Sequence, residues 1–189
     1  MSKPSRSSVD AFLATQQTQD FSYPEVGASR NQAPAGYTVD HNRIHLGEGS
    51  QTYKRAKHAI TQWKMFDMPR IELCWPDTPI ERGATVAVVV SHLGFWSMNA
   101  CRIVYVIEEE DPFEKYGFAY GTLAEHGEIG EERFTVEMKS DQTVWYDLYS
   151  FSRPTPLPRL SYPFTRALQK RFARDSKAAM QKAVQGGPA

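Results

Sequence analysis

GFAYGTLAEHGEIGEERFTV, residues 117–136 of this 189-residue chain, is the stretch that decides the fold. Apolar residues alternate with small or polar ones on both sides of a polar turn, which predicts two β-strands joined by a hairpin. In the second strand, alternation places Glu132 on the same face as Phe134 and Val136. Because a carboxylate on an apolar face needs a partner or a ligand, Glu132 becomes a candidate site residue.

The same strand-like pattern recurs along the chain. Besides the two strands of the hairpin, strand-like segments cover residues 37–46, 71–75, 84–92, 100–108 and 143–151. The links after residue 71 are short and rich in turn residues, which predicts an antiparallel meander, since parallel neighbours need long crossovers. A helix is predicted to begin at Ser50, and a longer one covers about residues 160–184.

This order of elements predicts an α+β helix-grip fold. Seven curved antiparallel strands would surround the long C-terminal helix, with one further amphipathic helix after strand 1. A closed barrel with a peripheral helix is the alternative, but the apolar stripe through Leu168 and Phe172 favours a buried helix. The polar composition of residues 1–35 predicts a mobile N-terminal arm, residues 36–185 a single helix-grip domain, and residues 186–189 a tail.

Charge and composition narrow the function classes. Lys and Arg balance Asp and Glu at 22 each, and eight of these basic residues follow residue 152. Those on the last helix surround its apolar stripe, so we interpret them as a solvated face and expect no nucleic acid partner. No apolar run reaches the length of a membrane span, and we expect a cytoplasmic protein. Cys74 and Cys101 are expected to be buried free thiols, with no metal and no cofactor.

Several segments carry a family resemblance: HNRIHLGEG from residue 41, FWSMNACRIVYVIEE from residue 95, the stretch from residue 117, SFSRP from residue 150 and RFARDSKAAM from residue 171. Together they resemble uncharacterised protein family 0548, which is grouped with the START and birch-pollen-allergen (Bet v 1-like) helix-grip proteins. The resemblance covers about residues 21–183. It implies the fold and supplies no reaction and no catalytic residue, because one fold hosts many functions.

Binding of a small, mostly apolar or amphipathic molecule between the sheet and the C-terminal helix is the leading functional hypothesis. The predicted lining combines aromatic residues with a few polar ones: Tyr105, Phe118, Tyr120, Phe134 and Tyr146, with Glu132, Arg43 and His41. His41 and Arg43 share one face of the first strand, and the pattern leaves open whether that face meets the interior or water. Arg43 is also a candidate partner of Glu132.

Two other functions remain open. An enzyme in the same cavity could use Glu132 as its acid or base, because burial raises a carboxyl pKa. A protein-interaction module could use the apolar tip at Phe95 and Trp96 together with the basic helix. The acidic turn beside Glu132 matches neither H-E-x-x-H nor a calcium loop, so we interpret it as a solvated turn.

Overall fold

Seven strands form one antiparallel sheet in the computed structural model, which describes residues 3–92, 94–111, 113–155 and 162–186. The strands are β1 (Thr38–Glu48), β2 (Ile71–Cys74), β3 (Thr85–His92), β4 (Phe95–Glu109), β5 (Glu114–Thr122), β6 (Glu128–Met138) and β7 (Thr143–Pro154). They lie in the order β1-β7-β6-β5-β4-β3-β2. The meander from β2 to β7 is therefore confirmed. Among the described residues β1 pairs with β7 and not with β2, so the sheet is open.

Helices α2 (Gly49–Thr61) and α3 (Tyr162–Gln185) cover one face of the sheet, which we call the inner face. Tyr53 and Ile60 of α2 and Met180 and Val184 of α3 are buried in the core between helices and sheet. This arrangement confirms the predicted helix-grip fold. The residues just before 162, where the long helix was predicted to begin, lie outside the described part of the chain.

The N-terminal segment lies on the opposite, outer face. Helix α1 (Arg6–Gln16) packs Val9 and Leu13 against Ala87 and Val89 of β3. The sequence predicts a mobile arm here, and in the structure α1 lies against the sheet. The division of the chain into arm, domain and tail stays a prediction.

Residues 21–30, which we call the strap, continue from α1 across the outer face. Phe21 forms an isolated bridge with Leu123, and Tyr23 is buried over β5 and β6. The strap is fixed by Glu131 of β6, which is 2% exposed. Its carboxylate accepts hydrogen bonds from the Tyr23 hydroxyl at 2.6 Å, from the Gly27 N–H at 2.7 Å, and from the N–H and hydroxyl of Ser29.

Candidate ligand-binding site

A row of polar side chains crosses the inner face of the sheet. The strand register places Asp40 opposite Ser150, Ser150 opposite Glu132, and Glu132 opposite Tyr120. Directly opposed residues in a sheet point to the same side, so these four side chains line one level of the interior. On one side the next row is apolar, with Phe134 between Leu148 and Phe118, and on the other side Ser152 lies between Thr38 and Gly130, so the polar row marks one end of the apolar core.

Glu132 is the central group of this row. The Tyr120 hydroxyl donates a hydrogen bond to Glu132 Oε2 at 2.9 Å. The described residues provide no second hydrogen bond and no ion pair to this carboxyl. Burial raises the pKa of Glu132 to about 8, and the nearby carboxyls of Glu128 and Asp40 act in the same direction. Glu132 therefore holds a proton at neutral pH while its second oxygen, Oε1, has no partner among the described residues.

Helix α3 contributes two polar side chains to this end of the core. Arg166 forms a bidentate ion pair with Asp40, with Nη2 at 2.9 Å from Oδ1, and holds the pKa of Asp40 below its usual range. Gln169 donates from Nε2 to Glu128 Oε1 at 2.9 Å and to Ser152 Oγ at 3.0 Å. Burial raises the pKa of Glu128. The guanidinium of Arg166 is thus directed to Asp40 and the amide of Gln169 to Glu128.

Aromatic rings fill the adjoining part of the interior. Phe118 and Phe134 are stacked at 5.3 Å between centroids, and Tyr120 meets Phe134 edge-on at 5.2 Å. Two further rings contact Phe134. Phe66, from the segment after α2, lies 5.7 Å away between ring centroids, and Phe172 of α3 lies 6.5 Å away. Phe118 and Phe134 have no exposed surface, so these rings belong to a packed core.

Five predicted site residues lie together on the inner face of the sheet. They are Phe118, Tyr120, Glu132, Phe134 and Tyr146. Tyr146 is fully buried, and its hydroxyl lies 2.8 Å from Ser176 Oγ of α3. This contact links β7 of the sheet to α3, so Tyr146 contributes to the packing of the helix on the sheet.

Tyr105 lies on the outer face, where it does not reach the interior. The register of β4 against β5 pairs Ile103 with Tyr120 and Tyr105 with Ala119, which leaves an extra residue between them. Such a bulge reverses the alternation beyond it. Tyr105 instead lies 2.6 Å from Ser29 Oγ of the strap through its hydroxyl. A strictly alternating interpretation of β4 could not detect the bulge.

His41 and Arg43 also point to the outer face. Both contact Asp147, with His41 Nε2 at 2.6 Å and Arg43 Nε at 3.3 Å from Oδ2. Arg43 forms a further ion pair with Glu137, so it is not the partner of Glu132. Of the two orientations that the sequence left open for this face of β1, the structure has the outward one.

Four polar residues near Glu132 were missed from the sequence: Asp40, Glu128, Arg166 and Gln169. Alternation could have found the first two, since Asp40 takes the face opposite His41, and Glu128 lies four residues before Glu132 on the same strand. The two α3 residues could not have been found this way. Their contacts depend on how the helix is rotated against the sheet, which one sequence does not specify.

Two shallow depressions lie away from this site, on the outer face beside Trp75. Their volumes are about 220 and 430 Å³, and residues of α1 line both. None of the predicted site residues lines either depression. Within the described ranges, no three His, Cys, Asp or Glu side chains are placed to hold a metal ion, and no helix is long and apolar enough to cross a bilayer.

Two solved structures share this architecture at low sequence identity. Norcoclaurine synthase from Thalictrum flavum, in complex with dopamine and hydroxybenzaldehyde, matches 81% of this chain and 89% of its own, with a TM-score of 0.52 and 8% identity. A protein from Thermus thermophilus, TTHA0849, matches 81% of this chain and 99% of its own, with a TM-score of 0.50 and 12% identity. At these identities the likeness shows the fold alone.

Sequence comparison gives a closer relationship. Residues 22–179 match the family described as Domain of unknown function (DUF1990). The "UPF0548 protein" of Dictyostelium discoideum is 34% identical over 202 aligned residues, which cover 96% of this chain and 94% of the relative. The "UPF0548 protein" of Deinococcus radiodurans is 37% identical over 186 residues, covering 90% and 91%. This chain therefore belongs to the uncharacterised UPF0548 family, and the resemblance predicted from its sequence is confirmed.

Proposed function

We propose that this protein binds a small, mostly apolar molecule at the polar end of its core, with Glu132 as the anchoring group. The observation that carries the proposal is the incomplete bonding of Glu132. Glu132 is partly exposed at the edge of the core, so its second oxygen is open to a hydrogen bond from a ligand or from solvent. Tyr120 supplies one bond, and the ligand would supply the next.

The packing of the rings determines where such a ligand would lie. Phe118 and Phe134 contact other rings and α3, so they are the wall of the site and not its centre. The ligand would occupy the level of Glu132 and Tyr120, with its apolar part towards Phe172. The lining that we propose is Phe118, Tyr120, Glu132, Phe134 and Tyr146; His41, Arg43 and Tyr105 lie on the outer face and are not part of it.

Two further observations support the proposal. A protein of the same architecture, norcoclaurine synthase, was solved in complex with dopamine and hydroxybenzaldehyde, so a protein of this fold can hold small molecules. We also propose a cytoplasmic location, because Cys74 and Cys101 are free thiols, which suits a reducing compartment.

An enzyme is the second candidate, and the pKa of Glu132 favours it specifically. A carboxyl group with a pKa of about 8 can both give and accept a proton near neutral pH. Tyr120 would then orient this group, as its hydroxyl already contacts Oε2. A structural carboxyl can have the same pKa, so this alternative needs a substrate before it can be preferred.

Native mass spectrometry of protein purified from its own host tests the proposed binding. We expect a co-purifying small molecule on the wild-type protein and reduced occupancy in Glu132→Gln. The matched control is Glu137→Gln, which removes a carboxylate from the same strand on the outer face. Equal occupancy in all three proteins, or no small molecule on the wild-type protein, would contradict the proposal.

A further inference from the structure

Helix α1 lies in a groove on the outer face of the sheet. The floor of this groove is one row of small side chains, in which the strand register places Cys74 opposite Ala87 and Ala87 opposite Ala100. The adjoining row, where Val89 lies opposite Met98, carries longer side chains. Small residues allow a helix to approach the sheet closely while the longer ones contact its flank, so this region has the form of a helix-binding groove.

The charges at the two ends of the groove match the polarity of a helix. At the C-terminal end of α1, Arg102 Nη2 donates to the carbonyl oxygens of Gln16 and Gln17 at 2.8 and 3.0 Å. At the other end, Glu72 of β2 forms an ion pair with Lys3, just before the helix begins. A helix carries partial negative charge at its C-terminus and partial positive charge at its N-terminus. The sheet therefore favours a helix that lies in this one direction.

The buried stripe of α1 fits the groove poorly at one position. It consists of Val9, Leu13 and Gln16, which share one face of the helix. Gln16 has no exposed surface, and its side-chain Oε1 and Nε2 are both buried without a hydrogen-bond partner among the described residues. A buried amide without partners opposes docking, because it has lost its hydrogen bonds to water and gained none. An apolar side chain at this position would avoid that cost.

The two depressions beside Trp75 show that α1 also leaves space in the groove. Val9 and Cys74 are among the residues that line the smaller one, of about 220 Å³, and Leu13 and Thr85 are among those that line the larger one, of about 430 Å³. Val9 and Leu13 are the two apolar side chains of α1 that are buried in the groove. The groove can therefore accept a helix with more apolar surface than α1 provides.

We infer that α1 is an exchangeable occupant of this groove and that the groove receives an amphipathic helix of a partner protein, with aliphatic residues at positions i, i+4 and i+7. The first two take the places of Val9 and Leu13, and the third replaces the unpartnered amide of Gln16. The partner helix lies in the direction of α1, because Glu72 and Arg102 favour that polarity. This interaction surface is on the outer face and is independent of the ligand proposed at Glu132.

Cys74 reports whether the groove is covered. Its thiol is 2% exposed in the cluster beneath α1, whereas Cys101 belongs to the inner core and has no exposed surface. A thiol reagent such as DTNB should reach Cys74 when α1 lifts, and the variant Cys74→Ala identifies its signal. We expect Gln16→Leu to slow this reaction at least about tenfold in the full-length protein, because docking no longer buries an unpartnered amide. Gln19→Leu, at an exposed position beyond the helix, should leave the rate unchanged.

A peptide tests the exchange directly. The probe is a fluorescein-labelled copy of residues 3–18 that carries Gln16→Leu, and it is titrated into full-length Val9→Asp protein, in which α1 is weakened. We expect saturable binding that protects Cys74 from the reagent. Binding to the wild-type protein should be at least about tenfold weaker, because its tethered α1 competes for the groove. A control peptide with the additional change Leu13→Asp should not bind.

Several results would overturn the inference. One is an unchanged rate at Cys74 in Gln16→Leu, which would mean that the amide does not weaken docking. Another is failure of the probe to bind Val9→Asp protein with a native near-ultraviolet circular dichroism spectrum, or equal binding of the two peptides. If Val9→Asp loses the native spectrum, α1 is an integral part of the fold and is not exchangeable. A stable dimer of Val9→Asp in size-exclusion chromatography would assign the groove to a second copy of this chain.

Discussion

Glu131 and Glu132 are neighbours on β6, yet they lie on opposite faces of the sheet and differ in their hydrogen bonding. Glu131 points to the outer face and accepts hydrogen bonds from four donors of the strap. Glu132 points to the inner face and accepts one, from Tyr120. Both side chains lie largely out of water. The difference between them lies in how completely their oxygens are bonded.

This comparison shows that burial of a carboxyl group does not by itself mark a functional site. A fully bonded carboxyl group such as that of Glu131 has a structural role, because each of its partners would lose a hydrogen bond if the group were removed. A carboxyl group with an oxygen that no described residue contacts, such as Glu132, can receive a ligand without the loss of an existing contact. Variants on the two faces should therefore separate stability from binding.

The largest effect is expected from Glu131→Ala. The change leaves the Tyr23 hydroxyl and the N–H groups of Gly27 and Ser29 without their acceptor inside a buried contact. Breaking a buried charged network of this kind costs on the order of 4 kcal/mol of unfolding free energy. Urea denaturation measures the loss. A change below about 1 kcal/mol would show that the strap contributes little to stability and would remove the contrast with Glu132.

Phe172→Ala should have the next largest effect. Its ring contacts Phe66 at 5.6 Å and Phe134 at 6.5 Å, so truncation opens a cavity between α3 and the sheet. We expect a loss of about 3 kcal/mol in chemical denaturation, at the lower end for a buried aromatic because Phe172 is partly exposed. This variant tests whether the inner face is stabilised by its rings and not by Glu132. The exposed Phe95 offers a control, since Phe95→Ala should cost little.

Gly121→Ala should have an intermediate effect. Gly121 lies directly opposite Glu131, and a Cβ there would be 2.1 Å from the Tyr23 hydroxyl oxygen. The tyrosine would have to move and lose its hydrogen bond to Glu131, at a cost of about 2 kcal/mol. Gly127→Ala is the matched control on the adjoining turn, where a Cβ meets only Asn99 Oδ1 at 3.6 Å. Equal melting temperatures of the two variants would mean that Tyr23 does not depend on this close approach.

These residues also show how far a sequence can be interpreted. Alternation correctly placed Glu132 with Phe134 and Val136, because a strand has a strict period of two. It failed at Tyr105, where one extra residue in β4 reverses the period. The predicted core of the fold rested on such local periods and on short links, both of which a sequence displays.

The contacts of Glu131 could not be predicted in this way. Its partners are more than 100 residues away in the strap, and the strap has no periodic pattern that would show where it lies. The same limit applies to Arg166 and Gln169, whose positions follow from the rotation of α3. Long-range polar contacts of this kind are specified by the assembled fold and not by any local pattern.

The smallest effect on stability is expected from Glu132→Gln, and its size should depend on pH. An unfolded chain ionises this carboxyl group near its ordinary pKa of 4.5, whereas the folded protein retains the proton until about pH 8. Below pH 4.5 both states are protonated and the raised pKa has no destabilising effect. Between pH 4.5 and 8 the unfolded state releases a proton that the folded state keeps, so this group lowers stability as the pH rises.

Glutamine does not titrate, so Glu132→Gln removes that dependence while the shape of the side chain is preserved. We expect the variant to match the wild-type protein at pH 5 and to be more stable by about 1 kcal/mol at pH 9, a value discounted because Glu132 is partly exposed. Urea denaturation of both proteins at the two pH values gives the comparison. Lower stability of the variant at pH 9 would mean that ionised Glu132 already has a stabilising partner in the folded chain. Glu132 would then have a structural role like that of Glu131, and this result would contradict the proposal that a ligand binds at its second oxygen.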